Sequence, residues 1–340
     1  MSNTILGLTC ISEELKDKDK KKYSFRTMTR KRFHDLERSD AIHQLSERIL
    51  HNARTTRYII NHCILHNIFH YRLSSALFPL ITDSQTDVTL DDLNPICLIQ
   101  IKEELEFAGK IAKKYNISIG SHPDQFNVLA STNEDAVNRT INELNFQASV
   151  LDMVGLPQDH TAPMNIHINY TPKADEGLGM VADRFYNNLM RCDAGVFNRL
   201  TIENEDKGFF NVDNCINFSE YLFDAYDFNL PVCYDNLHDF CNPSEEHNII
   251  FQAERCAYTW IDQREVSREL NRFISPVFHW SEGKPEKPRA HADHFALGNF
   301  PPHIAINPDQ PAKWECEVKQ KDLAIKLLQK SLDIAPQSVV

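Results

Sequence analysis

Short apolar runs alternate with long stretches of helical hydrophobic spacing from one end of the chain to the other. The runs Ile5 to Leu8, Phe69 to Leu73, Ile117 to His122, Met164 to Ile168, Leu200 to Glu203, Pro231 to Asp235, Pro276 to His279 and Trp314 to Glu317 read as strands. Between the first two, Asp40 to Asn67 carries Ile42, Leu45, Ile49, Tyr58, Ile59 and Cys63 close to helical spacing. Ile99 to Tyr115, Glu134 to Val154, Val181 to Met190, Asp213 to Asp227, Glu245 to Trp260 and Lys319 to Ser331 read as further helices. Asn133 is the expected N-cap of Glu134 to Val154, and Gly155-Leu156-Pro157 its stop signal. Glu13 to Lys22, where lysines alternate with acids, reads as a solvated loop in preference to a phosphate contact. Glu282 to Pro288 reads as a mobile loop after the seventh strand. Strand following helix throughout predicts an α/β fold, a single (β/α)8 barrel over residues 1–340, rather than two domains.

Six of these runs end on a side chain that can bind a metal: His122, His167, Glu203, Asp235, His279 and Glu317. They lie roughly 32 to 45 residues apart, about the length of one βα unit. The strands of such a barrel are parallel, so their C-terminal ends meet in one ring and the six side chains converge on one polar cup. Read alone, His167 between Ile166 and Ile168 is a hydrogen-bonded core histidine; the five other endings reverse that reading. In Asp235-Asn236-Leu237-His238 two ligand types stand three residues apart, within reach of one ion from a tight turn or helix start. His291 follows on the next loop, where strand geometry does not dictate convergence. Mixed imidazoles and carboxylates suit Zn²⁺ or Mn²⁺ rather than Ca²⁺ or Mg²⁺. Two or three such ions could generate hydroxide near neutral pH and neutralise the oxygens of a phosphodiester. A GxSxG elbow and a glycine-rich phosphate loop are both absent, and no cysteine needs a catalytic role.

Composition adjusts this picture in two places. The formal charge of −12 and pI of 5.7 argue against a nucleic-acid binder, an objection that bound divalent cations would weaken. No apolar run approaches the ~18 residues of a transmembrane helix, and Met1 to Leu8 lacks a signal-peptide pattern. Nine cysteines without a CxxC pair imply reduced thiols, and a cytoplasmic protein, or a nuclear one in a eukaryote, is expected.

At these residues the chain resembles the UV damage endonuclease family, relatives of endonuclease IV within the xylose-isomerase-like barrels. The likeness runs from Leu6 to about Leu328. It includes Tyr71-Arg72-Leu73-Ser74-Ser75, Ser121-His122-Pro123-Asp124-Gln125-Phe126, Asn165-Ile166-His167-Ile168 and Glu203-Asn204-Glu205-Asp206-Lys207. Asp235-Asn236-Leu237-His238, Arg289-Ala290-His291-Ala292-Asp293 and Glu317-Val318-Lys319-Gln320-Lys321 complete it. The resemblance implies a TIM barrel with two or three divalent ions, manganese or zinc, at its mouth, and incision immediately 5′ of UV photoproducts and other lesions. The ligands it implies are His122, His167, Glu203, Asp235, His238, His279, His291 and Glu317, with Glu203, Glu317 and His122 in catalytic roles. Gln125 and Phe126 match residues that probe the duplex at the lesion. Three departures stand out. Asp83 occupies the place of a further ligand histidine and is expected to ligate in its stead. Val277 stands where relatives carry a lysine. Leu8 and Ser12 replace the Tyr and Asn of lesion contact. The expected protein is a monomeric endonuclease acting on damaged duplex DNA. The alternatives are a sugar isomerase or epimerase on the same barrel, an abasic-site nuclease, and a barrel that binds damaged DNA without cutting it.

Overall fold

The structure, a computed structural model, describes residues 4–123, 126–246, 248–261, 273–307 and 309–332. The chain opens with β1 (Ile5–Thr9), the short helices α1 (Glu13–Lys18), α2 (Lys20–Tyr23) and α3 (Arg30–His34), and the long α4 (Arg38–Leu65). Then come β2 (His70–Arg72), α5 (Pro95–Lys114), β3 (Ser118–Gly120), α6 (Glu134–Val154), β4 (Met164–His167), α7 (Leu178–Leu189) and α8 (Ala194–Phe197). The second half holds β5 (Leu200–Glu203), α9 (Val212–Tyr226), β6 (Val232–Cys233), α10 (Asn236–Cys241), α11 (Ile249–Tyr258) and β7 (Val277–Ser281). A hairpin, β8 (Gly283–Lys284) and β9 (Lys287–His291), precedes β10 (Lys313–Glu317) and α12 (Lys321–Ser331).

Eight of the strands are parallel and form two sheets, β3-β2-β1-β10-β7 and β4-β5-β6. Two bridges join the sheets into a ring. Ser121, just past β3, pairs with Met164 of β4, and Asp235, just past β6, pairs with His279 of β7. The bridging hydrogen bonds are regular: Asn165 N donates to Ser121 O at 2.9 Å and His279 N to Tyr234 O at 2.8 Å. The expected (β/α)8 barrel is therefore present, with the first strand paired to the last.

Alternation along each strand sorts the side chains. Trp314 and Cys316 of β10 face the helices, where Trp314 packs edge-on against Phe278, Trp280 and Tyr234. Glu315 and Glu317 face the barrel axis instead, and so do His70, Asn165, His167, Glu203 and His279 from other strands. The apolar core thus lies between the strands and the helices, and the axis is polar.

Two segments differ from their reading as loops. Glu13 to Lys22 is helical because Ser12 Oγ accepts from Leu15 N at 3.1 Å, Asp19 caps α2, and Leu15 finds buried packing. Its alternating charges are the spaced pairs Lys16–Glu13 and Lys18–Glu14, at 2.8 and 3.1 Å. Glu282 to Pro288 contributes to the β8–β9 hairpin. The helix Glu134 to Val154 has its expected bounds, with Asn133 Oδ1 accepting from Ala136 N and Gly155 closing the turn at φ 80°.

Candidate metal centre at the barrel mouth

Glu203 ends β5 and is almost wholly buried, at 1% exposure. Four imidazoles face its carboxylate. Oε2 lies 3.1 Å from His122 Nε2 and 3.7 Å from His167 Nε2, and Oε1 lies 3.0 Å from His238 Nδ1 and 3.1 Å from His279 Nδ1. Asn165, two residues before His167 on the same face of β4, donates to Oε2 at 2.6 Å. Burial alone would raise the Glu203 pKa, but His279, His167, His122 and His238 hold it well below the usual carboxylate range.

Asp235 follows β6 and caps α10, its Oδ1 accepting from Leu237 N and His238 N at 2.7 and 2.8 Å. That cap turns the next residues into a helix and aims His238 at Glu203. Asp235 Oδ2 remains on the mouth side, 3.1 Å from Ser281 Oγ and 3.7 Å from His279 Nδ1. Glu317, at the end of β10, lies 3.9 Å from His279 Nδ1 and 3.6 Å from His291 Nε2. His291 reaches the mouth because the β8–β9 hairpin folds it back there.

The ligand atoms form three overlapping triads: His122–Glu203–His279, His167–Glu203–His238 and Asp235–His279–Glu317. Within each triad they lie within 4.8 Å of one another. The donor set fits a divalent cation on two further observations. Nδ1 of His279 is buried among the carboxylates of Glu203, Asp235 and Glu317 and makes no aligned hydrogen bond to any of them. Burial also pushes the His167 pKa down to about 4, which keeps that ring neutral and its lone pair available. His122 is oriented by its own loop: Nδ1 sits 3.0 Å from Pro123 O, so that Nε2 faces Glu203.

The structure does not bring Asp83 to this set. Its Oδ2 pairs with Arg30 Nε and its Oδ1 accepts from Gln85 N at 2.9 Å. It lines a separate groove of about 690 Å³, together with Arg30, Arg139 and Phe126. Phe126 is 89% exposed; Gln125 lies outside the described residues. Leu8 is fully buried, and Ser12 is spent on the α1 cap and on Asp322, so neither stands in the mouth. Val277 shares the inner face of β7 with His279, two residues below it, and is buried.

Sequence reasoning missed the residues beneath the ligands. Glu315 Oε1 accepts from His70 Nε2 at 2.8 Å, and Oε2 lies 2.9 Å from Arg72 Nη1 and 3.2 Å from His279 Nε2. Arg72 also pairs with Glu317, and the guanidinium outweighs burial to hold both acids low. The signal was present in Trp314-Glu315-Cys316-Glu317, where acids at every second position must share the inner face.

The fold is a parallel (β/α)8 barrel whose mouth carries an imidazole–carboxylate set. The crystal structure of SacUVDE has the same fold, at a TM-score of 0.74 over 98% of this chain and 100% of that one, with 24% identity. The family described as UV-endonuclease UvdE matches residues 4–338, and the chain belongs to it. A UV DNA damage endonuclease of a Nostoc species is 30% identical over 75% of this chain and 72% of its own length. One from Bacillus cereus is 28% identical over 88% of this chain and 86% of its own. The protein is accordingly a DNA repair endonuclease, a hydrolase that cleaves DNA. No helix among the described residues is long and apolar enough to cross a membrane.

Proposed function

We propose that this endonuclease cuts damaged duplex DNA at the phosphodiester immediately 5′ of UV photoproducts and other lesions, with two or three Mn²⁺ or Zn²⁺ ions held at the barrel mouth. The observation that carries the reading is Glu203, a buried carboxylate facing four imidazoles and common to two of the three triads. Its ligands would be His122, His167, Glu203, Asp235, His238, His279, His291 and Glu317. Divalent ions, if bound by these residues, would supply a nucleophilic hydroxide near neutral pH and offset the charge on the phosphate.

Burial divides the protein's part in this. Glu203, Asp235 and His279 form the floor, while His122, His238, Glu317 and His291 are more exposed and would face the DNA. Arg72 keeps Glu317 ionised and anchored to β2, so that the acid is held as a fixed anionic ligand for a cation. Phe126, exposed on the loop after β3, supports a wedge role at a poorly stacked step, and Gln125 would share it. A monomer in the cytoplasm completes the proposal.

The test is nicking of supercoiled plasmid, UV-irradiated or intact, with Mn²⁺ and with chelator. Irradiated plasmid should be nicked in Mn²⁺ and spared in chelator. Equal nicking of both plasmids would defeat the lesion-specific part, and nicking that survives chelation would defeat the metal assignment. A gel shift on damaged DNA without nicking would favour the binding-only barrel, the alternative that the departure at Val277 raises.

A further inference from the structure

A second set of ligand-type atoms lies on the flank of the barrel, where α1, α4 and α12 meet, and it shares no residue with the mouth. Glu14 comes from α1; His62 and His66 stand one turn apart at the end of α4; their ligand atoms all lie within 4.8 Å of one another. Glu14 Oε2 is 3.6 Å from His62 Nε2 and 3.8 Å from His66 Nε2. Those distances exceed hydrogen-bond length and approach the ~3.4 Å edge of a tetrahedron whose ligands sit at about 2.1 Å from its centre.

His62 supplies a second, independent observation. The residue is 3% exposed, and its Nε2 lies 2.8 Å from Asp322 Oδ2 but out of hydrogen-bond alignment with it. A buried imidazole nitrogen that approaches carboxylates without hydrogen-bond alignment is also what His279 shows at the mouth. Asp322 is already committed: Oδ2 accepts from Ser12 Oγ at 2.6 Å and Oδ1 from Glu13 N at 2.7 Å. That commitment fixes the start of α1 against the start of α12 and so places Glu14 over the two histidines.

We propose that Glu14, His62 and His66 form a structural divalent-cation site of zinc type, with Asp322 as its positioning residue. His62 is its floor, while Glu14 and His66 are partly exposed and admit the ion from solvent. The site ties the first helix of the chain to α4 and, through Asp322, to the last helix, across the place where β1 and β10 close the ring. The competitors for Glu14 are Lys326 and Lys18. Lys326 pairs with Oε2 and Lys18 lies 3.1 Å from Oε1, and an entering ion must displace the former.

The test is a zinc titration of the full chain, read by bound metal per chain and by thermal melting, on wild type, His66→Gln and Lys326→Met. Each variant is also made in a Glu203→Gln background, so that failure of the flank site is distinguishable from failure of the mouth. His66→Gln should bind one zinc equivalent fewer in both backgrounds, lose part of the zinc-dependent rise in Tm, and nick DNA as wild type does. Lys326→Met, freed of the competing ammonium, should bind that equivalent more tightly. Zinc stoichiometry and zinc-dependent Tm unchanged in His66→Gln would overturn the proposal. So would Lys326→Met binding zinc no more tightly than wild type, because the cluster would then be an ion-pair network alone.

Discussion

Glu315 acts on the mouth without standing in it. Its carboxylate is 3.2 Å from His279 Nε2, and a proton held there leaves Nδ1 as the nitrogen facing Glu203, Asp235 and Glu317. Glu315→Gln keeps the volume but can offer an N–H where an acceptor is needed, so His279 loses its orientation. Loss of such a support weakens metal binding about 10- to 100-fold. The expected variant melts as a folded protein, nicks poorly at low Mn²⁺ and recovers as Mn²⁺ is raised. Wild-type dependence on Mn²⁺ would show that Glu315 does not orient His279. Glu203, Asp235 and Glu317 could be read from the chain because each ends an apolar run and so sits where a barrel gathers its chemistry. Glu315 could not be assigned a role that way, since its partners His70 and Arg72 lie on β2, more than two hundred residues earlier. Asp83 misled for the converse reason: its local context suits a ligand, but Arg30 of α3 draws it into another groove.

The β8–β9 hairpin is the element that most changes the mouth. Gly283 pairs with His291, and a Cβ added at Gly283 would lie 2.2 Å from Pro288 O and 2.9 Å from Leu237 Cδ1. Backbone oxygen cannot give way as a flexible side chain would, so Gly283→Ala must shift the hairpin and His291 with it. We expect nicking to fall towards that of His291→Ala, with a melting temperature close to wild type because the hairpin lies outside the eight-stranded ring. Full activity in Gly283→Ala would mean that the hairpin does not set the position of His291. A second element-scale prediction concerns the segment between β4 and α7. Glu176 accepts from Tyr170 Oη and from Lys173 N and pairs with Arg184, and these bring its pKa from 4.5 down to about 2. A depressed carboxylate stabilises the fold above its ordinary pKa, and that contribution disappears as pH falls towards the folded value. Glu176→Gln should therefore melt below wild type at pH 7, with the gap closing between about pH 4.5 and about pH 2. An equal gap at pH 7 and pH 3 would contradict this assignment. Helices with strong local signals were readable to within a few residues, Glu134–Val154 at both ends because of Asn133 and Gly155. The hairpin was not readable, since Glu282 to Pro288 has loop composition and pairs only because Gly283 permits a close backbone approach.

At the scale of the whole molecule, ring closure and charge are one problem. The spacing of ligand-ended strands announces a barrel, but the pairing of β1 with β10 joins the two ends of the chain and leaves no local trace in the sequence. Closing that ring gathers Glu203, Asp235 and Glu317 at the mouth, with Glu315 beneath them, in a protein of formal charge −12. Arg72 offsets part of this charge, and the imidazoles offset more only where they take up protons. Cations bound there would relieve the remainder and would favour the folded state alone, because the unfolded chain does not assemble the triads. Each independent site filled at about 100 times its Kd adds about 2.7 kcal/mol. Mn²⁺ should accordingly raise the melting temperature of the chelator-treated wild type. Glu203→Gln removes the acid common to two triads and should lose most of that rise, along with nicking, while remaining folded in chelator. Mg²⁺ at the same concentration should stabilise less, because imidazole suits it poorly. If wild type and Glu203→Gln gain equally from Mn²⁺, the stabilising ion binds elsewhere, and the mouth is a proton-linked network rather than a metal centre.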